Sequence, residues 1–247
     1  MKHASALLAT LFFIVPLCAQ EVNLQDSLWQ KAVVLSGTNE DWVPGLLVIR
    51  MEMLDGQGSA QSTEETWMKM SLGPDGKIKE DLIKQVKDGK VKDGPETKVE
   101  ARSGEGKKKG EKKETSISVS SNDTPFSPKV QGSVTTKRTA HSKMILGKPC
   151  VGYEFTLSTK EGKTLSGTAW LEDPTGVPLE TQYTVRPLPP HVQRLSTTVR
   201  YETTPEGAWR PQEMVMDGSG GFLFIKKAYR GIIRFSDYWK YPPSAKK

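Results

Sequence analysis

The sequence has few of the side chains that support cross-linking and most enzyme chemistry. Only two of its 247 residues are cysteine, Cys18 and Cys150, and only three are histidine. Because Cys18 lies in a segment that we expect to be removed, the mature chain has no cysteine pair. This excludes a disulfide framework and a cysteine-based zinc site. We expect Cys150 to be a buried, inert thiol.

Groups with the spacing of a catalytic or metal site are also lacking. His141 and His191 have no acidic neighbour at a useful spacing, so exposed strand or loop positions explain both. Asp173, Asp217 and Asp237 are scattered among predicted turns and do not form a cluster of metal ligands. We therefore expect no enzyme activity, no catalytic residue, no metal and no cofactor.

A glycine-rich stretch, GSGG at 218–221, invites comparison with a phosphate cradle. Such a cradle needs a helix to begin after the glycines, whereas the following FLFIKKAYRG is strand-like. A hairpin turn between two strands is the better interpretation.

Only the N-terminus carries a long apolar run. A short basic start is followed by apolar residues from Ala6 to Leu17, which is too short to span a bilayer and is typical of a secretory signal peptide. We predict a signal peptide at 1–19 and an exported, periplasmic protein; a buried N-terminal helix is the alternative. A lipoprotein signal ending before Cys18 is also open, although Pro16 and Leu17 stand where small residues are preferred.

Elsewhere the composition is that of a soluble globule, with 26% charged and 36% hydrophobic residues. Residues 98–114 differ, because this stretch has seven basic and four acidic residues and almost nothing apolar. We predict a disordered basic insertion there, since it cannot bury enough surface to offset its ordering entropy. Its lysines permit contact with an anionic membrane surface, and a merely solvated loop is the alternative. They are Lys107, Lys108, Lys109, Lys112 and Lys113.

Periodicity predicts one helix followed by strands. NLQDSLWQKAVVLSG has apolar residues at helical spacing, with Asn23 as a plausible N-cap and Gly37 as the stop. The stretches GLLVIRMEMLDGQG (45–58) and STEETWMKMSL (62–72) then alternate in the manner of a hairpin that turns at Asp55-Gly56. The stretch KIKEDLIKQVKDGKVKD is ambiguous: apolar residues at helical spacing favour a short helix, while Asp88-Gly89 could close another hairpin.

From Val130 onward nearly every segment reads as a strand joined to the next by a short turn. GTAWLEDPTGVPLETQYTV (167–185) is the clearest hairpin, with Asp173-Pro174-Thr175-Gly176 as its turn and Leu179, Thr181, Tyr183 and Val185 on one face. We predict a mainly β (α+β) fold in one domain, residues 20–247: a curved antiparallel sheet wrapped around the N-terminal helix.

This arrangement resembles the periplasmic lipoprotein carriers of the LolA-like and LolB-like superfamily. The residues that carry the resemblance are those of a W-L-x-D-x-T-G-x-P hairpin: Trp170, Leu171, Glu172, Asp173, Thr175, Gly176 and Pro178. The resemblance implies a half-open β-barrel with a hydrophobic cavity that holds acyl chains.

Together these observations predict a non-enzymatic periplasmic protein that binds a lipid or a lipidated protein in a concave apolar cavity. Unbranched methionine side chains adapt to irregular apolar guests as well as to irregular cores, so ordinary core packing is the alternative for them. A periplasmic interaction or sensor module with a filled core is the alternative function. We expect a monomer that binds no nucleic acid. The candidate cavity residues are Leu47, Ile49, Met51, Met53, Met68, Met70, Tyr153, Phe155 and Tyr183.

Overall fold

A computed structural model of the chain describes residues 26–92, 124–204, 207–222 and 225–242. The predicted signal peptide, Cys18 and the basic insertion at 98–114 with its five lysines lie outside the described residues.

The N-terminal helix, α1, spans Ser27–Thr38. Asp26 caps it, because its carboxylate accepts a hydrogen bond of 3.0 Å from the backbone N–H of Leu28. The expected cap at Asn23 was therefore wrong, and the helix runs one residue past Gly37. The side-chain amide of Asn39 donates to the carbonyl of Leu35 at 2.7 Å and completes the C-terminal end.

Thirteen strands and one 3₁₀ helix make up the rest of the described regular structure. The 3₁₀ helix is Pro128–Ser133. The strands are β1 Trp42–Val43, β2 Leu46–Leu54, β3 Ala60–Leu72, β4 Ile78–Lys87, β5 Lys90–Val91, β6 Val134–Ile145, β7 Lys148–Ser158, β8 Thr164–Glu172, β9 Pro178–Arg186, β10 Val192–Thr203, β11 Trp209–Phe222, β12 Ile225–Ser236 and β13 Trp239–Lys240.

Eleven of these strands form one antiparallel sheet, in the order β5-β4-β3-β2-β12-β11-β10-β9-β8-β7-β6. The remaining two, β1 and β13, pair with each other. Within the described residues β5 and β6 are the two edges and do not pair, so the sheet stays open. The predicted fold class, a curved half-open barrel with an N-terminal helix, is confirmed.

The short helix predicted for residues 78–87 was wrong, because this segment is β4. Ile78 and Leu82 are four residues apart, a spacing that also places two side chains on one face of a strand. A bulge at Ile83 then shifts the register, so that Leu82 lies opposite Met68 while Val86 lies opposite Glu65, on the other face. The turn at Asp88 and Gly89 leads into β5, as the alternative interpretation required.

The glycines of GSGG do not form the predicted hairpin turn; they lie within β11. The hairpin between β11 and β12 does form, but both strands continue beyond these glycines until Phe222 pairs with Ile225. Tyr229 on β12 explains Gly218, because a Cβ atom there would come within 2.2 Å of the Tyr229 ring.

The core lies between α1 and the face of the sheet that α1 covers. Trp29 is fully buried, with its ring centroid 4.9 Å from that of Phe126 and 5.8 Å from that of Tyr153. The Trp29 indole N–H donates to the Gln131 side chain at 3.1 Å, which ties α1 to the 3₁₀ helix. We call the sheet face that α1 covers the inner face.

Candidate functional site

The two halves of the inner face differ in how they are covered. On β7 to β11 the side chains beneath α1 and Phe126 are almost fully buried: Tyr153, Phe155, Leu157, Leu165, Ala169, Leu171, Val199, Tyr201, Trp209 and Met214 are at most 9% exposed. This half is a closed core.

Strand register shows that β2, β3 and β4 present side chains on the same inner face. Leu47 on β2 lies opposite Phe235 on β12 and Met68 on β3, and Met68 lies opposite Leu82 on β4. Directly opposed residues of neighbouring strands share a face. A row of apolar side chains therefore runs from the core at Phe235 out to Leu82, near the edge of the sheet.

Exposure rises along the inner face from the core toward that edge. Leu47 and Ile49 are half-buried and pack against the core. Met51 and Met53 are 39% and 40% exposed, and Leu82 is 56% exposed. We call the uncovered apolar part of β2, β3 and β4 the open inner face; it comprises Met51, Met53, Met68, Met70, Leu72, Ile78 and Leu82.

Two methionines lie next to Gly231 of β12, where the inner face has no side chain of its own. A Cβ atom on Gly231 of β12 would lie 3.1 Å from Cε of Met216 and 3.2 Å from Sδ of Met51. Met216 on β11 and Met51 on β2 therefore occupy the space above Gly231 from the two neighbouring strands. Because methionine has three rotatable bonds and a polarizable sulfur, the surface formed by Met51 and Met216 can adapt its shape to an apolar ligand.

The open inner face is not wholly apolar. Glu64 lies opposite Met51 and forms an ion pair with Lys92 in which Nζ and Oε1 are 2.9 Å apart. Thr66 and Gln85 face each other in the next row. An apolar ligand on the methionines would thus have polar groups beside it.

The outer face of the sheet has a different character, because it is dominated by ion pairs across strands. Glu180 contacts Lys143 at 2.8 Å and Arg200 at 3.7 Å, and Glu213 contacts Arg200 at 3.0 Å and Arg234 at 3.1 Å. The two glutamate side chains are only 16% and 19% exposed. This charged lattice leaves the inner face as the apolar side of the sheet.

The predicted cavity residues fall into two groups. Leu47, Ile49, Met51, Met53, Met68 and Met70 share the inner face of β2 and β3, which the structure brings together at or next to the open inner face. Tyr153 and Phe155 lie in the closed core beneath Trp29, and Tyr183 is half-buried at its margin.

Sequence reasoning missed three residues of the open inner face. Leu72 was assigned to the right strand face but not to the site, and Ile78 and Leu82 were hidden by the helical interpretation of β4. The alternative hairpin at Asp88-Gly89 was the signal that could have identified the latter two.

Histidine, cysteine and carboxylate side chains were the candidates for catalytic or metal chemistry in the described residues. No group of three or more histidine, cysteine, aspartate or glutamate residues within them could hold a metal ion. His141 and His191 are exposed, as predicted. Cys150 is 1% exposed, and burial raises the pKa of its thiol, in agreement with the predicted buried, inert role.

The N-terminus of α1 carries a titratable cluster beside the closed core. Burial raises the pKa of Asp26, but the backbone N–H of Leu28, the nearby Tyr153 hydroxyl and the Arg138 guanidinium together hold it below its usual value. Nη1 of Arg138 is 3.2 Å from Oδ2 of Asp26. Burial, with Asp26 nearby, raises the pKa of Tyr153. Tyr153 thus stays neutral, and the cluster joins α1 to β6 and β7.

In the described ranges, none of the helical segments has both the length and the apolar character needed to cross a membrane. No family model and no curated protein matches the sequence.

Solved structures do match. An outer membrane lipoprotein-sorting protein domain from Vibrio parahaemolyticus is 14% identical, with 86% of this chain and 92% of that chain covered and a TM-score of 0.39. A LolA superfamily protein from Nitrosomonas europaea is 12% identical, with 87% and 92% covered and the same TM-score of 0.39. The Pseudomonas aeruginosa MucA/MucB complex matches at 9% identity and a TM-score of 0.22, with 86% and 99% covered. The first two likenesses are at the level of the fold alone.

Proposed function

We propose that this protein is a non-enzymatic periplasmic carrier that binds the acyl chains of a lipid or of a lipidated protein on the open inner face. The observation that carries the proposal is the partial exposure of Met51 and Met53. Both side chains continue the apolar face of β2 beyond Leu47 and Ile49, which pack against the core, yet about two-fifths of each remains in contact with solvent.

Energetics favour an apolar occupant for this surface. Fully burying an exposed methionine, leucine or isoleucine side chain gains about 1.5–3 kcal/mol, and each partly exposed side chain of this face would gain the fraction that is still in contact with solvent. Seven such side chains on one face could therefore outweigh the cost of ordering a flexible acyl chain. Scattered exposed apolar residues are normal on protein surfaces, but a contiguous apolar patch marks a binding site.

Lipid extraction tests the proposal directly. The chain is purified without detergent and its bound fatty acids are identified by mass spectrometry. A double variant, Met51→Gln with Met53→Gln, should retain far less lipid, because two polar amides would lie under the acyl chain. Val34→Gln is the matched control, since Val34 is 66% exposed on α1 and lies outside the open inner face.

Absence of lipid from the unaltered protein would instead favour the alternative, a periplasmic interaction or sensor module that works through its loops. Equal lipid in the double variant and the control would also count against the open inner face as the binding site.

The basic insertion has a separate proposed role in loose contact with anionic membranes. Each lysine near such a surface contributes about 1 kcal/mol at low salt. Deleting residues 98–114 should weaken co-sedimentation with anionic vesicles at low salt and leave the melting temperature nearly unchanged. A large fall in melting temperature would show that the segment is not the disordered loop predicted from its composition.

A further inference from the structure

The turn between β6 and β7 has a backbone conformation that its first residue, Leu146, disfavours. Leu146 and Gly147 form a two-residue hairpin loop with φ of 50° and 76°. A loop of this kind, with positive φ at both positions, strongly prefers Asn-Gly. In this conformation the Cβ atom of leucine crowds the following carbonyl oxygen, and leucine has no polar side chain to compensate.

Leu146 is also the exception among the residues with this conformation. In the described ranges three other non-glycine residues have positive φ: Asp88, His191 and Asp237. Aspartate and histidine are among the residue types enriched in this region of backbone space, whereas for a bulky apolar residue it is uncommon.

Packing gives no reason for a leucine at this position either. Leu146 is 81% exposed and Met144, two residues before it, is 65% exposed. Leu146 is the most exposed of the large apolar side chains in the part of the chain that the structure describes. Backbone strain of this sort persists at functional sites, where the side chain serves something outside the fold.

The lysines that flank the turn are already engaged. Nζ of Lys143 is 2.8 Å from Oε1 of Glu180 and 4.3 Å from the centroid of the Trp170 ring. Nζ of Lys148 is 3.1 Å from Oε2 of Glu172. Both ammonium groups therefore lie on the outer face of the sheet, paired with glutamates. The end of the hairpin, at Met144 and Leu146, is left with an apolar surface.

We propose that this apolar turn, defined as Met144 and Leu146, inserts into the interfacial region of a lipid membrane. A convex tip with two flexible apolar side chains fits the boundary between head groups and acyl chains, which needs no fixed complementary shape. The paired lysines predict an association that depends little on salt, unlike that proposed for the basic insertion. The inference does not require a ligand on the open inner face.

Co-sedimentation of the exported chain, residues 20–247, with uncharged phosphatidylcholine vesicles at high salt tests the inference. Leu146→Asn should lower the partition coefficient about tenfold, since a leucine leaving an apolar phase loses that much or more. The same variant should raise the melting temperature by roughly 2–4 °C, because asparagine suits the turn and relieves the strain of a leucine in this conformation. A purely structural role for Leu146 would not produce opposite changes in binding and stability.

Two further variants complete the test. Met144→Asn should lower partitioning without the rise in melting temperature, because Met144 is not strained. Val34→Asn, at a similarly exposed position on α1, should leave partitioning unchanged. Failure of the unaltered chain to bind these vesicles, or equal binding by Leu146→Asn and Val34→Asn, would overturn the proposal; in that case any partner of the turn would be a protein.

Discussion

At the scale of single residues, Gly176 shows why the hairpin motif around residue 170 has its particular spacing. Gly176 has φ of +77°, and a Cβ atom there would lie 2.7 Å from the carbonyl oxygen of Leu28 and 2.8 Å from Cβ of Lys31. Nζ of Lys31 donates to the carbonyl of Pro174 at 2.9 Å. The turn of the motif is therefore one of the points at which the sheet touches α1, and glycine is required there for both conformation and space.

A pair of glycine substitutions separates these two requirements. Gly162→Ala should cost about 1 kcal/mol, because Gly162 has φ of +74° but nothing within 4 Å of the added carbon. Gly176→Ala should cost about 2–3 kcal/mol, since the backbone of α1 must also move. Urea denaturation of both variants checks the difference. Equal losses would show that the contact with α1 is easily relaxed.

Asp26 makes the stability of the folded protein depend on pH. Its pKa is lowered in the folded protein, so its contribution is fully present above the unfolded value of 3.8 and is lost as pH falls through the folded pKa. Asp26→Asn keeps a good N-cap but removes the ion pair with Arg138.

This variant should therefore be less stable than the unaltered chain at pH 7 and lose less stability on acidification to about pH 2. Chemical denaturation at the two pH values measures the change. If the stability difference between the two proteins were the same at both, Asp26 would not be the titrating group responsible.

At the scale of elements, Trp29 is the largest of the side chains that α1 buries against the sheet. Trp29 is fully buried and contacts the rings of Phe126, Tyr153 and Phe155. At the far end of the helix, the Asn39 side chain accepts a hydrogen bond of 2.8 Å from the backbone N–H of Trp209. These contacts fix the helix over β7 to β11, and in the part of the chain that the structure describes the helix does not extend over Met51, Met53 or Leu82, which stay partly exposed.

Trp29→Ala should accordingly cost about 3–5 kcal/mol, as expected when a large buried aromatic side chain leaves a cavity. Val34→Ala, on the exposed side of the same helix, should change stability by less than about 0.5 kcal/mol. Thermal or urea denaturation of the two variants provides the comparison. A small effect at Trp29 would mean that the core closes over the missing ring.

In strand β4 the spacing of apolar residues does not determine the secondary structure. Its apolar residues fit both a helix and a strand with a bulge, and only the pairing with β3 distinguishes the two. By contrast, β7 to β10 follow the alternation of their sequences closely, because one face of each is buried beneath α1 and the other carries ion pairs. Where both faces of a strand are partly exposed, as in β4, the pattern weakens and prediction becomes ambiguous.

At the scale of the whole molecule, the chain forms one wide sheet with two different sides. The outer side carries ion pairs between neighbouring strands, and the inner side is mainly apolar, with the polar group around Glu64 and Thr66 on β3 as an interruption. Within the described residues, the helix and the segment around Phe126 cover only part of the inner side. The open inner face is the part of the sheet that this described cover does not reach.

The sequence by itself determined the helix, the succession of antiparallel strands, the hairpin turn that meets α1 and the buried cysteine, because period, turn chemistry and composition are local properties. It also placed Met51, Met53, Met68 and Met70 on one face. Only the tertiary structure decided that Tyr153 and Phe155 belong to the closed core, that β4 is a strand and that Gly218 makes room for Tyr229. The exposed apolar turn at Leu146 likewise emerged only there. Those outcomes depend on which distant segment of the chain packs against a residue. Contacts between residues far apart in the sequence produce no periodic pattern from which they could be predicted.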